Sequence, residues 1–205
     1  MTNSRRTQAD RTSASRAVLV NAAARMLSTQ GFAKSTTALI CQEAGVTTGT
    51  LHHHFSTKEA LFWAVLDFMS EQFVERFRSL AETDEPAAHV ADRMFEALWP
   101  IYSDGRYWAV WEINMGFRSD AALLEKLAQH RLATNRALHD VIQENDSLAS
   151  ETKALIQHFL PFAQIAMRGI FLETIFRNSA SIDKQRDNFK MSLRLLIEAQ
   201  AHAPK

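Results

Sequence analysis

The sequence predicts an all-α protein of about nine helices, on three observations. Apolar residues recur at three- and four-residue spacing through most of the chain, the period of a helix face. Six Gly and four Pro in 205 residues leave little material for the tight turns that a hairpin fold consumes. No stretch shows the strict apolar–polar alternation of a half-buried strand. With 46% apolar and 22% charged residues the composition is that of an ordinary globular protein, and the length is enough to bury a sizeable core.

The elements follow in order. Residues 1–12, MTNSRRTQADRT, hold no large apolar side chain after Met1 and are expected to form a flexible basic arm. From Ser13 the stripe Val18, Leu19, Ala22, Ala23, Met26 and Leu27 marks a first helix that Gly31 stops, with Phe32 plugging back toward the core. Ser35, Thr36 and Thr37 offer N-cap oxygens to a short second helix carrying Leu39, Ile40 and Ala44, which Gly45 ends. Thr47 is placed to cap a third helix, Thr48 to His54, with Leu51 and Phe55 inward. Ser56-Thr57-Lys58-Glu59 reads as a capping box in which Ser56 and Glu59 satisfy each other's backbone donors, opening a long fourth helix to about Ala81. Pro86 suits the first turn of a fifth. The remaining helices are expected near 86–99, 104–116, 119–145, 151–177 and 182–200, separated by Pro100, Asp104-Gly105, Asn145-Asp146-Ser147 and residues 178–181.

Two short helices joined through Gly45 meet the demands of a helix-turn-helix at residues 36–55. Cys41 supplies a small side chain at the crossing, Gly45 tolerates positive φ, and Val46 and Leu51 hold the second helix down. Charge agrees with a head that touches phosphates. Up to Phe62 there are seven basic and three acidic side chains, a net +4, so the remainder of this neutral chain carries −4.

These residues carry a resemblance to the TetR family of bacterial regulators: Thr36-Thr37, Ala44-Gly45-Val46-Thr47, Gly49-Thr50-Leu51 and His53-His54-Phe55-Ser56-Thr57-Lys58-Glu59-Ala60-Leu61. It covers roughly Ser13 to Phe73, and beyond that only the number and length of helices are similar. The resemblance implies a DNA-binding domain at 13–73, with a ligand-binding and dimerisation domain at 74–205. It places Thr36, Thr37 and Lys58 where the family grips phosphates, at helix N-termini that favour anions. Thr47, Thr48, Thr50, His52 and His53 fall on or beside the recognition helix, short enough to lie in a major groove about 12 Å wide. Gly49 lets the backbone come close. Many relatives carry lysine at position 48 and tyrosine at 52; this chain has Thr48 and His52, and threonine methyls can meet thymine methyls instead.

Other readings of this segment are weaker. Consecutive residues of the run His52-His53-His54 point about 100° apart on a helix and cannot all face one metal ion, so His54 is expected to pack inward beside Phe55. Cys41 admits a redox reading, which a buried crossing residue does not need. As the sole cysteine it forms no intramolecular disulfide. The first residues lack the apolar core of a signal peptide, and no uninterrupted apolar run is long enough for a membrane span, so the expectation is the cytoplasm and no membrane partner.

Aromatic and methionine side chains crowd helices four to eight. Most are core, and their number suits an adaptable apolar pocket of the kind the resemblance implies. Met69, Phe73, Phe95, Trp99, Trp111, Met115, Phe162 and Arg168 are the candidate lining. Arg168 needs a partner if buried, and Glu112, Glu173 or a ligand anion would serve. The segment near 151–177 is apolar on nearly every side, with Pro161 expected to bend it. With the Phe189, Leu193, Leu196, Ile197 face of the segment near 182–200 it suggests a four-helix homodimer seam. Such a dimer would present its recognition helices about 34–36 Å apart and read a palindromic operator in double-stranded DNA.

Function is thereby expected to be that of a regulator, a repressor released from its operator by a small apolar or amphipathic effector, with no cofactor. A regulator without an effector would keep the head and leave the rings as plain core. An all-helical enzyme is the remaining alternative, and the sequence holds no Glu-x-x-His metal pair, Gly-x-Ser-x-Gly elbow or phosphate loop to support it.

Overall fold

The structure, a computed structural model, describes residues 8–81 and 89–201. Among them are nine α-helices and no strand: α1 (Gln8–Lys34), α2 (Thr37–Ala44), α3 (Thr48–His54), α4 (Lys58–Ala81), α5 (Val90–Tyr102), α6 (Tyr107–Phe117), α7 (Ala121–Gln143), α8 (Ser150–Glu173) and α9 (Ser179–Ala201). The chain is all-α, as its periodicity predicts.

Several boundaries differ from the sequence expectation, each for a local reason. Residues 8–12, expected in the arm, are already helical. Gln, Ala and Arg are good helix formers, and a helix anchored further along extends over them at little cost; residues 1–7 lie outside the described residues, as does Pro86. Gly31, at φ 80° and ψ 171°, kinks α1 where a stop is expected. The cap of α4 is Thr57 rather than Ser56, its hydroxyl accepting the Ala60 N–H at 3.0 Å. Pro100 does not break α5 but sits in its last turn, where the carbonyl deprived of a donor belongs to exposed Glu96. The segment expected to be helical to 177 ends at Glu173, because Thr174 tightens the chain: its N–H and hydroxyl both donate to the Phe171 carbonyl. Asn178 then caps α9 through Ser181 N–H at 2.9 Å and starts that helix before 182.

The chain divides into two compact units, one made of residues up to 71 with 105–129, the other of 72–104 with 130 onward. Residues 105–129, which sequence reasoning gives to the body, thus group with the N-terminal helices. The first unit packs α1 against α2, α3 and α6. Its core joins Leu19, Ala23 and Leu27 of α1 to Ile40 and Cys41 of α2, Leu51 of α3, Phe62 and Val65 of α4, and Ile113 and Phe117 of α6. Val18, expected in the stripe, is 43% exposed while Val20 is buried: five residues before Ala23, Val18 lies about 140° round the helix from it.

In the second unit α5 packs against α8 and α9, and α8 against α9. Asp92 on α5 receives Arg194 of α9 at 2.8 Å, with Lys190 at 3.5 Å. Burial pushes the Asp92 carboxyl up, but these two cations override it and hold the group below the ordinary carboxylate value. α8 is long and apolar enough, by length and composition, to cross a membrane, although Gln157, His158, Gln164 and Arg168 interrupt it. Phe189, Leu193 and Ile197 of α9, expected at a seam between chains, are instead buried within the unit. The outward apolar residues are Met191, Leu195 and Leu196 on α9 and Phe162 and Ile165 on α8.

Candidate nucleic-acid interface

The turn between α2 and α3 is built by backbone hydrogen bonds that the sequence makes possible. Gly45, at φ 66° and ψ 31°, reverses the chain, so that its N–H reaches the Gln42 carbonyl at 3.2 Å and the Val46 N–H reaches that of Cys41 at 3.0 Å. This pair satisfies carbonyls that a helix end leaves orphaned. Thr36 and Thr47 start the two helices, their hydroxyls accepting the N–H of Leu39 at 3.3 Å and of Thr50 at 3.1 Å. A hydroxyl used as an acceptor retains its own proton, and the Thr47 and Thr50 hydroxyls share one such proton across 3.0 Å.

At the crossing, Cys41 is buried with its sulfur 3.7 Å from the Thr47 carbonyl. Burial pushes its thiol up, away from the reactive thiolate. Arg25 of α1 ties down α2 through Glu43 at 2.9 Å, a bond that no local sequence signal announces.

The face left open holds Thr36, Thr47, Thr48, His52 and His53, all exposed, with Thr37, Thr50 and Lys58 half-buried. A Cβ added at Gly49 would meet nothing nearer than the Thr47 hydroxyl at 3.6 Å, so no neighbour within the chain requires a glycine there. His54 is half-buried, its ring between those of His53 and Phe55. Burial lowers its pKa, and the nearby His53 and Arg16 charges lower it further. Arg16, missed by the sequence reading, lies over the Phe55 ring at 5.4 Å, beside the end of α3. No three His, Cys, Asp or Glu side chains among the described residues gather as metal ligands would.

Lys58 does not extend outward. Its ammonium donates to the Phe32 carbonyl at 3.4 Å and lies 4.9 Å from the centroid of the Phe32 ring and 5.1 Å from that of Phe62. Burial lowers its pKa, an effect that neighbouring Glu59 opposes.

The candidate ligand residues separate. Met69, Trp111 and Met115 belong to the first unit, where Met69 is buried, Met115 is half-exposed and the Trp111 indole nitrogen is buried without a hydrogen-bond partner. In the second unit Phe95 stacks on Trp99 at 5.9 Å, Phe95 and Phe162 both meet Phe189, and Phe73 packs on Tyr102. Arg168 pairs with neither Glu112 nor Glu173: its Nε donates to the Gln164 carbonyl of its own helix at 3.1 Å. Glu112 instead accepts the Phe32 N–H, and Glu173 pairs with Arg177.

A small recess, open to solvent, lies among Phe77 of α4, Val90, Arg93, Met94 and Ala97 of α5, Leu148, and Thr152 and Ile156 of α8. None of the sequence candidates lines it. Its walls are mainly aliphatic, whereas the sequence reading followed rings.

Comparison with known proteins places these features. A family model described as "Bacterial regulatory proteins, tetR family" matches residues 19–65. The HTH-type transcriptional regulator CymR of Pseudomonas putida is 30% identical over 136 residues, 66% of each chain. UidR of Escherichia coli K12, also an HTH-type transcriptional regulator, is 35% identical over 80 residues, 39% of each. The matches thus span less than two thirds of these relatives' length. Among solved structures, Salmonella enterica GusR superposes with a TM-score of 0.63 at 22% identity, covering 93% of this chain and 95% of its own.

Proposed function

Because the chain belongs to the TetR family of bacterial regulatory proteins, we propose that it is a DNA-binding transcriptional regulator acting in the cytoplasm on a palindromic operator. The observation that carries the reading is the open face of α3. A glycine inside a helix costs roughly 0.5–1 kcal/mol relative to alanine, and nothing within the chain uses Gly49. A surface that must come close to another molecule accounts for it. α3 has seven residues and is about 10 Å long, a length that fits a major groove. Thr48, Thr50, His52 and His53 are its base-reading residues; Thr36, Thr37, Thr47 and Lys58 position the head on phosphates, Lys58 after leaving its present contacts.

The outward apolar residues of α8 and α9 supply the dimer seam. A pair of such helices from each of two copies forms a four-helix contact, and two-fold symmetry explains a palindrome. The recess beside Phe77 is the site for a small apolar or amphipathic effector. α4 carries Lys58 at its start and Phe77 in its last turns, so a ligand that prefers one position of the far end biases the near end. A repressor of this design releases DNA when its ligand binds the DNA-incompetent form more tightly. A coupling of about 1–3 kcal/mol lowers operator affinity roughly 5- to 150-fold.

Selection of bound sequences from random duplexes tests the reading, with wild-type protein, Thr48→Ala and Lys58→Ala run in parallel. Enrichment of a palindrome, changed in sequence by the first substitution and weakened evenly by the second, is expected; no enrichment by the wild type overturns it.

A further inference from the structure

Phe32 is held at each of its three handles. The positive φ of Gly31 takes the Phe32 N–H out of the hydrogen-bond ladder of α1, and a freed backbone donor away from water must find another partner. It donates to Glu112 Oε2 of α6 at 2.7 Å, a charge-assisted bond. One turn later on the same face of α6 is Gly116, where any Cβ would overlap the Phe32 ring; the missing side chain is the notch the ring fills. The ring also meets Phe62 of α4 at 5.4 Å and Phe117 of α6 at 5.8 Å, both edge-on. The third handle, the carbonyl, receives the Lys58 ammonium.

Lys58 is therefore stowed. A cation over two ring faces, with a carbonyl for its proton, gives up those contacts before it can reach a phosphate. Glu112 does not pair with Lys58 and is joined to it through Phe32, whose N–H Glu112 holds and whose carbonyl and ring Lys58 meets.

We propose that Glu112 is a positioning residue for DNA binding: by fixing Phe32 it keeps Lys58 stowed, and α6 thereby sets how readily the head takes hold of a phosphate. The inference rests on the DNA-binding reading above and adds to it a regulating contact outside the helix-turn-helix. Anything that draws Glu112 off the Phe32 amide frees Lys58 and strengthens the sequence-independent part of DNA affinity.

A double-mutant cycle on a fluorescein-labelled random-sequence duplex of about 30 base pairs tests this, with affinity measured across a salt series. Lys58→Met lowers the salt slope by about one unit per head engaged. Glu112→Ala is expected to tighten binding about fivefold when Lys58 is present and less than twofold in the Lys58→Met background. Glu112→Gln, which keeps an acceptor and guards against loss of fold, is expected to give a smaller shift in the same direction. Equal effects of Glu112→Ala in both backgrounds, or weaker binding in both, would show that Glu112 only supports the fold and overturn the inference. The wild type alone gives a second test: the ring faces shift the Lys58 Cε protons upfield, and saturating duplex must abolish that shift. A signal unmoved by bound DNA refutes the two positions of Lys58. Wild-type protein that binds no duplex at any salt concentration removes the DNA-binding reading itself, and this inference with it.

Discussion

Replacing Gly45 by alanine isolates one backbone energy. The residue sits at φ 66° and ψ 31°, and an added Cβ would find nothing within 4 Å. Packing therefore contributes nothing to the outcome, and the cost is that of placing an L side chain in the left-handed region, about 1–2 kcal/mol. Alanine also restricts the unfolded chain, which offsets roughly 0.4–1 kcal/mol. The net loss is about 1 kcal/mol, or some 2–4 °C in Tm for a chain of this length. Urea unfolding followed by tryptophan fluorescence measures it, with Gly45→Asn as control, since asparagine visits this region more readily. The expected order of stability is Gly, then Asn, then Ala, with the midpoint moving and the slope unchanged. An alanine variant as stable as the wild type would refute the left-handed turn and with it the hydrogen bonds that orient α3.

Two further outcomes follow from the second unit. Asp92→Asn removes the charge that Arg194 and Lys190 grip and is expected to cost about 1 kcal/mol at neutral pH, allowing for the partial solvent exposure of the partners. Because the folded carboxyl titrates below the ordinary value of 3.8, its stabilisation is present above that pH and is lost as pH falls through the lowered value. The gap between wild type and variant in thermal melts should accordingly close in acid, and a gap that persists there contradicts the assignment. Ile165→Asp and Leu195→Asp place charges on the outward apolar faces of α8 and α9 and should convert a dimer to a monomer in sedimentation. A variant that keeps the wild-type mass, or a wild type that is itself monomeric, removes the seam.

The helix-turn-helix was legible because its determinants are local. Thr36, Gly45 and Thr47 act on backbone groups within three or four residues, so their roles can be read from spacing alone. The choice of Thr57 over adjacent Ser56 as cap was not legible, since both hydroxyls precede a free N–H by three residues and the helix start selects between them. Longer-range features escaped for a different reason. Glu112 is the one carboxylate of α6, yet nothing near it in sequence announces an unpaired amide at Phe32. α9 carries apolar residues on more than one face, so periodicity did not decide whether Phe189, Leu193 and Ile197 or Met191 and Leu195 turn inward. The recess is lined mainly by aliphatic side chains, whose grouping depends on how α4, α5 and α8 pack.

The notch at Gly116 bears on how such regulators can be recombined. A chimera that joins the first 73 residues of this chain to the remainder of a relative leaves Phe32 facing a foreign α6. Any side chain at the position of Gly116 would expel the ring, and any residue but an acceptor at that of Glu112 would strand an amide. Transplanting the specificity of this head therefore means moving residues 105–129 with it, and in natural relatives the residues at 32 and 116 should change in size together, one growing only as the other shrinks.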